Sequence, residues 1–207
     1  MAEADDTYHA VCRRAGATLR DRGSRFLGLV WPVESEDEVR GILDGLRKEY
    51  YDATHRCYAW RLGPEGIPFR SSDDGEPSGT AGRPILGQLL SRGLSDTLAV
   101  VVRWFGGTKL GVPGLINAYR GAAEAALDEA GVCERIVRRR VEVRFPYESM
   151  NGVMRLVKEL EPCIVSQAFD NICRMELAIR KSRLETLISG LAGLEGVAAD
   201  PVSQQKR

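Results

Sequence analysis

Three carboxylates fall within four residues at Asp73, Asp74 and Glu76, inside the run Asp73-Asp74-Gly75-Glu76-Pro77-Ser78-Gly79-Thr80-Ala81-Gly82. Clustered oxygen ligands of this kind suit a hard cation such as Mg²⁺. They suit equally well ion pairs with Arg83 or Arg103 that lock a loop. A second glycine-rich run, Gly106-Gly107-Thr108-Lys109-Leu110-Gly111 with Gly114 just beyond it, follows Arg103. Each run leads into a helix start. Exposed N–H groups there attract anions, and glycine lets a ligand approach the main chain. Arg103 and Lys109 would add charge, so the two runs together suggest a phosphate-shaped site for an RNA backbone or a nucleotide. The competing reading is that the glycines only permit tight turns. No Walker pattern is present.

His55 and Cys57 lie two apart on an expected strand and so share a face. A thiol–imidazole pair is an arrangement used for nucleophilic catalysis. A buried filler cysteine beside a scaffold histidine gives the same pattern, as does a His55 that lines the glycine-loop site. Tyr58 and Trp60 share the other face, where they would stack bases or pack a core. The binding set read from the sequence is therefore Asp73, Asp74, Gly75, Glu76, Gly79, Thr80, Gly82, His55, Arg103, Gly106, Gly107, Lys109, Gly111 and Gly114. No catalytic residue, metal ligand or cofactor is assigned.

Several elements must hold these residues. Strands are expected at Ala17–Arg20 and Phe26–Val33 around a turn at Gly23. Ser35 and Glu38 form a capping box before a helix that runs to about Tyr51. His55–Leu62 reads as a strand and residues 63–82 as one long loop. A helix should begin at Pro84. The apolar run Thr97–Phe105 should be a central strand covered on both faces. Pro113 suits the first turn of a helix ending near Gly131. Residues 1–14 show no period.

Beyond residue 135 the pattern changes to strand Ile136–Tyr147, helix Glu148–Leu160, strand Cys163–Phe169, turn Asp170-Asn171, strand Ile172–Lys181, helix Ser182–Leu194 and strand Gly196–Val202. That β-α-β-β-α-β order is the ferredoxin-like arrangement. The chain is expected to be α+β, with domains at 1–134 and 135–207.

Bulk properties narrow the classes. Of 207 residues, 43% are hydrophobic and 28% charged, which is ordinary for a globular protein. No apolar run approaches the ~18 residues of a membrane span. The acidic start Met1–Asp6 does not resemble a signal peptide. Five scattered cysteines without a Cys-x-x-Cys pair point to reduced thiols in the cytoplasm. Net charge is zero overall, but residues 1–134 carry 16 Lys and Arg against 20 Asp and Glu, and residues 135–207 carry 13 against 9. The basic C-terminal part favours an anionic partner such as RNA, or is ordinary surface charge. Arg138-Arg139-Arg140 with Arg144 would contact phosphates or guard a strand edge.

The Asp73–Gly82 run and Val101-Val102-Arg103-Trp104-Phe105-Gly106-Gly107-Thr108-Lys109-Leu110-Gly111 closely resemble the Impact/YigZ family. Ser24-Arg25-Phe26, His55-Arg56-Cys57-Tyr58-Ala59-Trp60, Gly114-Leu115 and Ala118-Tyr119 agree with it, so the resemblance covers roughly residues 15–131. One departure is Val112-Pro113-Gly114, where the family usually has small residues; Pro113 removes one N–H donor. The resemblance implies an N-terminal domain like domain 2 of ribosomal protein S5, a mainly antiparallel sheet with helices on one face. It also implies a C-terminal domain like the last domain of elongation factor G. Eukaryotic Impact proteins restrain a stress kinase acting on translation initiation by competing for its activator, through an added domain not seen here. The function implied is a cytoplasmic, non-catalytic regulatory protein that contacts RNA or a ribosome-associated protein, with no membrane role and no DNA specificity. The alternative is an enzyme or small-molecule binder that acts on a phosphorylated compound at the glycine loops.

Overall fold

A computed structural model describes residues 6–202; the acidic start over residues 1–5 lies outside the described residues. The chain is α+β and divides into two compact units. One is Tyr8–Arg135. The other runs from Ile136 onward and takes in Asp6 and Thr7. Asp6 belongs there because its carbonyl accepts from Val137 N at 2.6 Å and its carboxylate accepts from Ser182 N at 2.7 Å.

The first unit is built on a five-stranded antiparallel sheet. Its strands are β2 (Ala15–Asp21), β3 (Ser24–Pro32), β4 (His55–Arg61), β5 (Phe69–Ser72) and β6 (Thr97–Trp104). They are ordered β2-β3-β6-β4-β5. The all-apolar run of β6 is central, as expected, and seven of its eight residues are buried. Helices α2 (Gly82–Ser91) and α3 (Gly111–Ala130) cover one face. There Phe26, Cys57, Val101, Ile85, Leu89 and Tyr119 form the core. Helix α1 (Glu36–Glu49) covers the opposite face, where Val39 and Leu46 pack on Trp31, Trp60, Leu98 and Val100. Helices therefore lie on both faces, not one. Val39, Ile42, Leu43 and Leu46 give α1 an apolar stripe that only the second sheet face can bury. Ser35 accepts from Glu38 N at 3.2 Å, as the capping box requires, but Glu38 reaches back to Glu34 N at 2.8 Å.

Three further expectations are corrected. The long loop contains β5, which pairs with β4 from Tyr58↔Ser72 to Arg61↔Phe69. Helix α2 begins at Gly82, not Pro84. Residues without a readable period contain β1 (Thr7–Val11), which pairs with β7 (Val132–Ile136). That pairing brings Cys12 and Cys133 together as a disulfide, with Cα atoms 5.1 Å apart across a sequence separation of 121. The expectation of reduced thiols fails for this pair; Cys57, Cys163 and Cys173 are free.

The second unit carries β8 (Arg138–Phe145), α4 (Met150–Leu160), β9 (Cys163–Phe169), β10 (Cys173–Arg180), α5 (Leu184–Ala192) and β11 (Ala198–Pro201). Its antiparallel sheet has the order β11-β8-β10-β9. Val141, Val143 and Phe145 alternate inward against Val153, Val157, Leu187 and Leu191 of the helices.

Candidate functional site

Arg103 is the penultimate residue of β6, and its side chain is only 6% exposed. It points to the sheet face shared with α2 and α3, because Phe26 stands opposite it on β3 and His55 opposite it on β4. An arginine buried this deeply requires a counter-charge. Glu76 of the first glycine loop supplies it, with Oε1 at 2.5 Å from Arg103 Nη1. The same oxygen accepts from the Tyr119 hydroxyl at 2.7 Å, and His55 Nε2 stands 3.8 Å away. Arg103 Nη2 donates to Ser24 Oγ at 3.4 Å, and its guanidinium lies 5.3 Å from the Phe26 ring centroid. Its Nε has no partner.

Ser24 connects the second glycine loop to this cluster. Gly106 N donates to Ser24 Oγ at 3.2 Å. A Cβ on Gly106 would sit 1.9 Å from the Gly23 carbonyl carbon, so the loop packs backbone to backbone on the β2–β3 turn. Loop to loop, the chain of contacts is thus Gly106, Ser24, Arg103 and Glu76. The two glycine runs do come together, and the protein's own side chains fill the space between them.

Three of the first loop's amides are taken by Asp73. Asp73 Oδ1 accepts from Ala81 N at 3.0 Å and Gly82 N at 2.8 Å, and Oδ2 accepts from Gly79 N at 2.9 Å. This carboxylate sits where an anionic ligand was expected, at the start of α2. Burial pushes its pKa up, but the three N–H donors and nearby Arg83 outweigh that and hold it below the usual carboxylate value. Asp74 pairs with β4 instead: its Oδ2 accepts from Arg56 N at 2.7 Å and its carbonyl is 2.8 Å from His55 Nδ1. A carbonyl can only accept, so Nδ1 carries the proton. Thr80 is buried and donates to Pro77 O at 2.7 Å. Among the described residues no group of three His, Cys, Asp or Glu is placed to hold a metal ion.

Cys57 is fully buried and donates to Asp73 O at 3.0 Å. Burial raises its pKa strongly, so no thiolate forms near neutral pH. Trp60 is core on the other face, and Tyr58 packs against it. Gly75, Gly79, Gly107 and Gly111 all have positive φ, which explains the residue choice without a ligand. Gly107, Lys109 and Gly111 are exposed; Gly111 opens α3, and Gly114 lies in its first turn. Tyr119 and Ser24, absent from the sequence-derived set, complete the cluster. Tyr119 follows Leu115 by four residues on the buried face of α3, a spacing that places it inward.

Comparison with known proteins gives the relationships. The Impact N-terminal domain model matches residues 22–127. The chain is similar to IMPACT family member YvyE of Bacillus subtilis, 39% identical over 136 residues, covering 66% of this chain and 63% of that one. IMPACT family member YigZ of Escherichia coli is 29% identical over 171 residues, covering 82% and 84%. A solved structure described as a hypothetical protein superposes with a TM-score of 0.73 at 27% identity, covering 90% of this chain and 92% of the other. The Protein IMPACT homolog of Saccharomyces cerevisiae is 32% identical over 122 residues, covering 56% of this chain and 46% of that protein. The matched domain contains both glycine runs and every member of the buried cluster, and on that ground the chain belongs to the Impact family.

Proposed function

We propose that this chain is a cytoplasmic, non-catalytic binding protein that acts in translational control by contacting RNA. Its family relatives and the function the sequence resemblance implies support the translational part. The non-catalytic part is supported by the buried cluster: the Cys57 thiol and His55 Nδ1 are bound to backbone carbonyls, Asp73 to backbone amides, and Glu76 to Arg103 and Tyr119. The units are read as an S5 domain 2-like domain and a ferredoxin-like domain, residues 1–134 and 135–207. The β11-β8-β10-β9 order supports the second assignment.

One observation carries the RNA reading. On the exposed side of the second unit's sheet, Arg144 stands directly opposite Arg174, and Arg138 directly opposite Arg180. Like charges facing across strands are destabilising on their own. Arg140 is neutralised by Glu176 at 2.9 Å and Arg144 by Asp200 at 2.7 Å. Arg138, Arg174 and Arg180 are exposed and have no carboxylate within ion-pair distance among the described residues. A phosphodiester backbone lying across β8 and β10 would bring phosphate charge to Arg138, Arg174 and Arg180.

The test is single-stranded RNA binding measured against salt concentration. Affinity should fall as salt rises, and replacing Arg138, Arg174 and Arg180 with Ala should lower the log–log slope by about 2, from ~0.7 per lost contact. Salt-insensitive binding, or an unchanged slope in the triple variant, would refute it. If the protein instead retains a ribosome-associated protein without RNA, the partner assignment is wrong.

A further inference from the structure

Helices α2 and α3 run side by side in the same direction. Arg92, just past the end of α2, reaches the C-terminal half of α3: Nη1 is 2.6 Å from Asp128 and Nη2 is 4.0 Å from Glu124. Arg83, at the start of α2, shares a groove with Ile116 and Arg120 from the first half of α3. The groove holds about 380 Å³ and is completed by Gly79, Gln88 and Ser91.

The two ends of this helix pair treat arginine differently. Arg92 is neutralised by two acids of α3. Arg83 and Arg120 are exposed and form no ion pair with any described carboxylate. Helix α2 contains no acidic residue, and α3 has none before Glu124. The acid close enough to act on Arg83 electrostatically, Asp73, is already held by three backbone N–H groups. Two guanidinium groups from separate helices thus share a concave surface with no ion pair to any described carboxylate. Arginine's planar fork matches phosphate oxygens two at a time.

We propose that this groove binds the phosphate group of a small phosphomonoester the size of a mononucleotide. Arg83 and Arg120 contact the phosphate, and Gln88 and Ser91 offer neutral hydrogen bonds to the rest of the molecule. The volume falls within the range of small-molecule pockets, roughly 300–1,000 Å³. The proposal does not rest on the RNA-binding sheet face, which lies in the other unit.

The experiment is calorimetric titration of the full chain at low ionic strength with AMP, ribose 5-phosphate, adenosine and a 5′-phosphorylated RNA dinucleotide. AMP and ribose 5-phosphate should bind saturably, and adenosine should not. Arg83→Gln and Arg120→Gln should each weaken AMP binding by about tenfold, as expected for loss of one charge-assisted contact. Gly87 lies on the groove with open space where a side chain would project. Gly87→Glu therefore keeps the helix, places a negative charge in the groove and should abolish binding. Arg40→Gln on α1 and the Arg138, Arg174 and Arg180 variants should leave AMP affinity unchanged, which separates this site from the RNA surface. The proposal is overturned if no phosphorylated small molecule binds, if adenosine binds as well as AMP, or if the groove variants change nothing. Binding of the dinucleotide alone would mean an RNA end is read there, and would overturn the small-molecule assignment.

Discussion

Arginine is used in opposite ways in the two units. In the first, Arg103 sits at the end of a central strand, ringed by Glu76, Tyr119, Ser24 and Phe26. In the second, Arg138, Arg174 and Arg180 lie on the exposed side of a sheet, opposite other arginines and with no described carboxylate within ion-pair distance. A charge removed from water must be matched inside the protein, so the buried arginine is fixed by the fold and in turn holds it. A charge left in water can stand without a protein partner, but like-charged neighbours still repel it across the strands. The lesson is that density of charge or of glycine does not mark a recognition site; what marks it is charge that the fold leaves unmatched.

The contrast can be broken most forcefully at Arg103. Arg103→Ala leaves Glu76 charged and buried, and should destabilise the protein by about 3–5 kcal/mol. Chemical unfolding measures this, and the molecules that remain folded should bind RNA normally. A loss of RNA affinity with unchanged stability would reverse the roles assigned to the two regions.

Next is Asp73→Ala, which removes the acceptor for three amides and should cost about 2–3 kcal/mol. Its pH dependence gives a second reading. The folded-state pKa of Asp73 lies below the ordinary carboxylate value of 3.8. Its contribution is therefore fully present above that value and disappears as pH falls through the lower, folded-state pKa. The acid limb of the wild-type stability curve should flatten in the variant. An equally steep limb would show that another carboxylate governs acid unfolding.

Replacing Arg138, Arg174 and Arg180 with Ala should change stability by no more than about 0.5 kcal/mol. Loss of RNA affinity in that variant with an unchanged melting temperature would sharpen the distinction. A large melting shift would mean that these arginines too are structural. The smallest effect belongs to Lys109→Ala. Lys109 is exposed on the second glycine loop, so stability should move by less than ~0.5 kcal/mol. A shift above that in a melting experiment would place the second loop with the buried cluster.

Local signals in the sequence were enough for most of the fold. Thr97–Trp104 carries no polar residue before Arg103 apart from Thr97, and a strand like that is stable only when both faces are covered. The capping pattern at Ser35 located α1, and Pro113 located the start of α3. Elements lacking a local signal were missed. Thr7–Val11 is defined by its partner 121 or more residues away, and Phe69–Ser72 by the edge of β4. The disulfide was hidden for the same reason, since only the pairing of β1 with β7 brings Cys12 to Cys133.

The sequence alone determined which residues were chemically capable: the carboxylates of Asp73–Glu76, the cation of Arg103, and the backbone freedom of the glycine runs. Tertiary structure decided what they are joined to. Strand register placed Arg103 against Glu76, and a helix start drew in Asp73 as its anion. Packing of α2 beside α3 left Arg83 and Arg120 on one groove with no ion pair to a described carboxylate. Chemical capability belongs to the side chain, but electrostatic satisfaction depends on neighbours distant in sequence, so only the folded chain separates a structural charge from one still available to a ligand.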